Sequence, residues 1–147
     1  MKRIINEMKL RLPAKSVNEA VARSVISAFS AELNPTVEEL GDLRCAVSEA
    51  VTNCIVHAYR DPSEGERGYI YISARLYDPR EISVEISDNG CGIENLDEAM
   101  KPEFTTDSLG ERCGMGFLVM KSFTDFLKVK STPGKGTSVL MRKILKP

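Results

Sequence analysis

Apolar and small residues recur between Ser16 and Leu33 at Val17, Ala20, Val21, Val25, Ala28 and Phe29, with Ser24 in the same series. That is the i, i+3, i+4, i+7 spacing of a helix with one buried face. Ser16 and Glu19 match the S-x-x-E capping box at its start, and Asn34-Pro35 ends it. Thr36 and Glu39 repeat the box as T-x-x-E and open a second helix, predicted to run to about Tyr59. Ala46, Val47, Ala50, Val51, Cys54, Ile55 and Ala58 form its core stripe. Elsewhere the period is two. Glu7 to Leu12 alternates as a short strand closed by Pro13, and Tyr69 to Leu76 and Ile82 to Ser87 form a hairpin through Asp78-Pro79-Arg80. Phe126 to Ser131 and Thr137 to Ile144 flank the turn Thr132 to Gly136, preceded by a short helix from about Met115 to Phe123. Asp61 to Gly65 is a loop by composition. Cys91 to Cys113 has no period, and so long a loop in a compact domain usually carries function. The order β-α-α-β-β-loop-α-β-β predicts an α/β fold, a two-layer sandwich whose mixed, mostly antiparallel sheet is covered by helices on one face.

Glu49, Asn53 and His57 run beside the apolar stripe of the second helix. Residues four apart on a helix lie roughly 40° from each other, so a carboxylate, a carboxamide and the chain's single imidazole border a buried face. Two glycine-rich stretches follow. SDNGCGI (Ser87 to Ile93) reads either as an Asn-Gly hairpin turn or as a strand end whose carboxylate, Asp88, faces a pocket. In the second reading Gly90 and Gly92 remove side chains so that a flat ligand can approach the backbone. A hairpin needs a returning strand, and Glu94 to Met100 has instead the pattern of a brief helical turn. GERCGMGF (Gly110 to Phe117) places glycines before a helix, which is either simple loop flexibility or a bare-backbone anion site at a helix N-terminus.

Composition narrows the function classes. A chain of 147 residues is one ordinary domain, and 20 Lys+Arg against 21 Asp+Glu leave none of the basic excess of a nucleic-acid-binding domain. The opening MKRIINEMKLRL has no apolar signal region, and no run approaches the roughly 18 residues of a membrane span, so no membrane contact and a cytoplasmic location are expected. Cys45, Cys54, Cys91 and Cys113 form no C-x-x-C pair, and one histidine completes no zinc set. Reduced, structural thiols are expected, two of them in helical apolar context.

In chain order, E-x-x-x-N on a helix (Glu49, Asn53), D-x-G-x-G after a strand (Asp88, Gly90, Gly92), G-x-G before a helix (Gly114, Gly116) and GKGT before the last strand (Gly134 to Thr137) resemble the Bergerat, or GHKL, ATP-binding superfamily of gyrase, histidine kinases and related ATPases. The match spans nearly all of the chain as a single domain, residues 1–147, with Cys91 to Cys113 as its ATP lid. Within the superfamily, PEFTTDSLGERCGMGF (Pro102 to Phe117) looks like the anti-sigma F kinase family of spore-forming bacteria. Cys113 stands where relatives often have Ser, and Cys54 and His57 vary a permissive part of the helix motif.

The resemblance implies an anti-sigma factor and serine protein kinase that uses ATP and Mg²⁺. Its implied partners are a sporulation sigma factor and an anti-sigma factor antagonist protein bearing the acceptor serine, and it implies a homodimer. Asn53 would bind nucleotide and offer its side-chain oxygen to Mg²⁺, and Glu49 would be the general base. Asp88 would accept from the adenine amino group with Thr137 behind it, and Gly90 and Gly92 would make room for the base. Gly114, Met115 and Gly116 would hold phosphates, with Thr105, Thr106 and Arg112 as lid contacts and Arg23 as a partner contact. His57 is either a nucleotide contact or a helix-end side chain. Two other functions stay open: a nucleotide-dependent clamp without kinase activity, and a stand-alone histidine-kinase-like ATPase domain, against which no dimerisation helix with a phosphoacceptor histidine precedes the motifs.

Overall fold

Strands β1 (Ile4–Pro13), β2 (Tyr69–Tyr77), β3 (Glu81–Ser87), β4 (Phe126–Thr132) and β5 (Gly136–Ile144) pair in the order β1-β2-β3-β5-β4 in a computed structural model. The structure describes residues 2–58, 68–93 and 116–147. Among the described residues every pairing is antiparallel, so the sheet there is of one kind where the sequence suggested a mixed one. Alternation sets the buried face: Ile70, Ile72, Ala74 and Leu76 on β2 are buried. Opposite them on β1, Leu12, Leu10 and Met8 pair with Ile70, Ile72 and Ala74 and pack partly buried against the same core. Ile82, Val84 and Ile86 of β3 and Val139 and Met141 of β5 complete the floor.

Helices α1 (Val17–Ser30), α2 (Val37–Asn53) and α3 (Gly116–Phe123) bury their stripes in that same core: Ala22 and Ile26 from α1, Leu43, Ala46, Val47, Ala50 and Val51 from α2, Phe117 and Met120 from α3. The architecture is the α/β sandwich that the periodicity predicts. Arg80 ties the β2–β3 turn to the far layer by donating to the carbonyls of Leu33 (2.9 Å) and Asn34 (2.8 Å), where a short 3-10 turn (Ala31–Leu33) follows α1.

The two capping boxes part company. Thr36 is extended (ψ 164°), so its hydroxyl accepts from the Glu39 amide at 3.0 Å while the Glu39 carboxylate accepts from the Thr36 amide at 2.9 Å. Ser16 already has helical dihedrals (φ −53°, ψ −38°) and makes no side-chain cap bond. Its predicted partner, Glu19, accepts instead from Arg23 (2.7 Å) and from the buried Thr52 hydroxyl (2.8 Å), stronger partners than a first-turn amide. Glu39 also accepts from the Lys146 amide at 2.8 Å, and the amides of Thr36 and Lys146 hold its carboxyl below the ordinary value. Its stabilising effect is therefore complete above the unfolded carboxylate pKa and is lost as pH falls through the lowered folded one. Thr36→Ala is expected to cost about 1 kcal/mol in urea unfolding, and Ser16→Ala only a few tenths. Equal costs for the two would contradict this account.

Helix α2 does not continue regularly to its predicted end. Cys54–Ala58 is a single π-helical turn. The Ala58 carbonyl that it presents accepts from the Cys91 amide at 2.9 Å. Turns of this type recur at functional sites. Cys54 is buried as expected, but Cys45, on α2, is exposed and carries no core role.

Candidate functional site

Glu49 and Asn53, one turn apart on α2, are half-buried beside the core stripe. Helix α3 begins against them: a Cβ added to Gly116 would lie 3.3 Å from Glu49 Oε2 and 3.7 Å from Asn53 Oδ1. Glycine thus brings the first turn of α3 onto both side chains. Among the described residues neither the Glu49 nor the Asn53 side chain has a hydrogen-bond or ion-pair partner. A carboxylate and a carboxamide oxygen at a helix N-terminus, spoken for by nothing internal, form a corner suited to a polar ligand.

Behind that pair α2 carries a second one. Ser48 and Thr52, one residue earlier at each step, face α1. Thr52 donates to Glu19, Arg23 donates to Glu19, and Arg23 reaches the Ser48 hydroxyl at 3.2 Å. Two i, i+4 pairs, Glu19/Arg23 and Ser48/Thr52, therefore close a polar ring that fixes the helix bearing Glu49 and Asn53. Arg23 also borders an open groove shared with Arg44, Ser48, Glu49 and Val119.

At the other end of the site, SDNGCGI stands at the end of a strand. β3 stops at Ser87 and Asp88 is 7% exposed, turned inward. Asp88 Oδ1 accepts from the amides of Gly90 (2.9 Å) and Thr137 (3.2 Å), and Oδ2 lies 3.5 Å from the Cys54 thiol. Burial pushes the Asp88 carboxyl above its ordinary value, opposed by those three donors. Burial pushes the Cys54 thiol up much further, with the Asp88 charge adding to it, so it stays protonated and a donor.

Thr137 supports Asp88 through its backbone, its amide donating to Oδ1 and its carbonyl accepting from the Asp88 amide at 2.9 Å. The Thr137 hydroxyl pairs instead with Ser131 at 2.9 Å. The glycines also have a reason the sequence did not disclose. A Cβ on Gly90 would fall 2.3 Å from the Ala58 carbonyl, and one on Gly92 (φ +73°) 2.3 Å from the Thr132 carbonyl. What both spare is a close approach of backbone to backbone within the protein, which sets the Asp88 loop against the π turn and the β4–β5 turn.

Thr105, Thr106, Arg112, Gly114, Met115 and most of the Cys91–Cys113 segment lie outside the described residues, as does Cys113 itself. His57 falls within the π turn, where i→i+5 bonding departs from the winding that aligned it with Asn53; its carbonyl lies 3.2 Å from the Cys91 thiol. Ser48, Thr52 and Glu19 were missed by sequence reasoning, although their i, i+4 spacing was a signal. Cys54 was read as a structural thiol of the stripe, without its contact to Asp88.

The oxygen donors suit a hard cation travelling with a phosphate ligand. Among the described residues no three His, Cys, Asp or Glu side chains gather to hold a metal, so such an ion would bring most of its own ligands as water and phosphate oxygens. No helix among the described residues is long and apolar enough to cross a membrane.

Comparison with known proteins places the chain in a family. Residues 12–143 match the family model of the histidine kinase-like ATPase domain. The chain is 52% identical over 140 residues to the anti-sigma F factor of Caldanaerobacter subterraneus, covering 95% of this chain and 94% of that one. It is 49% identical over 138 residues to the anti-sigma F factor of Clostridium acetobutylicum, covering 94% and 93%. Among solved structures, the RsbU and RsbW domains of Rv1364c from Mycobacterium tuberculosis superpose with TM-score 0.69 at 17% identity, over 97% of this chain and 33% of that one. The histidine kinase domain of a blue-light activated kinase from Erythrobacter litoralis gives 0.58 at 18% identity, over 91% and 62%. These two likenesses concern the fold. The family match and the curated relatives go further: the chain belongs to the histidine kinase-like ATPase domain family and, within it, to the anti-sigma F factors.

Proposed function

We propose that the chain binds Mg-ATP at the corner of Glu49, Asn53 and Gly116, holds a sporulation sigma factor in that state, and phosphorylates a serine of an antagonist protein. The observation that carries this reading is the pair of unpartnered oxygen-bearing side chains, Glu49 and Asn53, set against the N-terminus of α3. Asn53 offers its amide oxygen to Mg²⁺ without adding negative charge beside a triphosphate. The ion, when bound, supplies charge neutralisation on the phosphate oxygens. Glu49, one turn earlier, takes the proton from the attacking serine hydroxyl. The groove bordered by Arg23, Arg44 and Glu49 is open to a loop of a protein substrate, and Arg23, fixed by Glu19, is its contact residue.

Asp88, with Oδ1 filled by two amides, accepts the adenine amino group at Oδ2; guanine carries an oxygen there and is refused. Gly114, Met115 and Gly116 hold the phosphates, and Thr105, Thr106 and Arg112 reach them from the lid.

We further propose a cytoplasmic homodimer. β1 is an edge strand of the sheet, and an unpaired edge tends to find a partner. Light scattering at micromolar concentration should give twice the chain mass, and a monomer would contradict the proposal. The function itself is tested by capture of the sigma factor on immobilised protein. Retention with Mg-ATP and release in EDTA without nucleotide are expected, whereas equal retention in both would remove the nucleotide from the inhibitory state.

A further inference from the structure

Cys54 is buried at 3% exposure within the π turn, and its thiol is 3.5 Å from Asp88 Oδ2. Among the described residues, Asp88 Oδ1 is occupied by the amides of Gly90 from the β3 end and Thr137 from β5, and the Cys54 thiol is the one polar partner of Oδ2. No charged side chain among the described residues bears on this carboxylate, and Cys54 is the one titratable group against it. We propose that Cys54 is a positioning residue for base recognition: by donating its thiol proton to Oδ2, it keeps Asp88 a pure hydrogen-bond acceptor and leaves that oxygen one direction for an incoming donor. The inference rests on the reading of Asp88 as the acceptor of the adenine amino group.

The chemistry behind it is a choice between two forms of one side chain. An ionised Asp88 only accepts, which suits the amino group of adenine and refuses the carbonyl of guanine. A protonated Asp88 carries an O–H that can donate to that carbonyl, so discrimination between the bases falls. Burial already favours the neutral form, and the thiol opposes it.

The test compares Cys54→Ala, which removes the γ atom and its donor, with Cys54→Ser, which keeps a γ atom and an O–H donor in its place. The affinities of ATP and GTP are measured by calorimetry between pH 5 and 8. Cys54→Ala is expected to move the pH at which ATP preference is lost upward by roughly 0.5 to 1 unit, the value of one hydrogen bond, with the preference several-fold lower on the acid side. Cys54→Ser should keep the parent profile. A profile unchanged in Cys54→Ala, or shifted equally in both variants, overturns the proposal.

Two controls separate its failure from failure of the site reading. The S–H stretching band lost in Cys54→Ala should shift in Asp88→Asn without any nucleotide present, and an unshifted band overturns the thiol's role alone. Asp88→Asn that keeps full preference for ATP overturns the reading of Asp88, and the role of Cys54 in base recognition with it.

Discussion

Glu49→Gln is expected to lower phosphoryl transfer to the antagonist's serine by about 10²- to 10³-fold, roughly 3 to 4 kcal/mol of barrier. Glutamine keeps the shape and hydrogen-bonding reach of the carboxylate but takes no proton. Removal of a general base spans up to about 10⁴-fold, and the lower part of that range is expected here. Phosphoryl transfer passes through a loose transition state in which the attacking hydroxyl loses its proton late, and positioning and metal electrostatics dominate. ATP affinity should change little, since Glu49 meets the attacking group. Sigma-factor binding should survive, giving an inhibitor that its antagonist can no longer switch off by being phosphorylated. Single-turnover transfer and sigma capture in ATP measure the two properties. Transfer within threefold of the parent would mean that Glu49 is not the base, and loss of both together would make it structural.

Asn53→Ala should abolish Mg-ATP binding, weakening it about 100-fold or more, which is close to 3 kcal/mol. The loss combines a missing metal ligand with a carboxylate, Glu49, left alone to face a polyanion. Asn53 borders the stripe made by Ala46, Val47, Ala50 and Val51 instead of filling it, and among the described residues its side chain makes no internal hydrogen bond, so the fold should be unharmed. Calorimetric titration with and without Mg²⁺, beside a thermal melt, checks both halves. Unchanged affinity would remove Asn53 from the site, and a collapsed melting temperature would give it a packing role.

What the sequence made legible was whatever depends on local period and chain order. The helical stripes and the β2–β3 hairpin each follow from spacing within a few residues, and the observed elements differ mainly at their ends. Glu49 and Asn53 were legible for the same reason, since four residues on one helix is a fixed geometry. Long-range contacts were not. The competition that drew Glu19 from Ser16 to Thr52 and Arg23 depends on where α1 crosses α2, and no local pattern encodes that crossing. The need for glycine at Gly90 was readable, but its cause, the Ala58 carbonyl brought close by a π turn, arises only when the end of α2 meets the end of β3. The pairing of Cys54 with Asp88 spans the same junction. Exposure of Cys45 shows the converse limit: an apolar-looking residue on a helix is assigned to the core by its angle, and that angle places it beside Arg44 at the open groove.

The central claim is that this corner transfers the γ-phosphate of ATP to a protein serine. Incubation of the chain with γ-labelled ATP, Mg²⁺ and the antagonist protein, followed by acid treatment and residue identification, tests it most directly. The account predicts acid-stable label on a serine of the antagonist. Acid-labile label on a histidine, or label released only as inorganic phosphate with none on the antagonist, would contradict it.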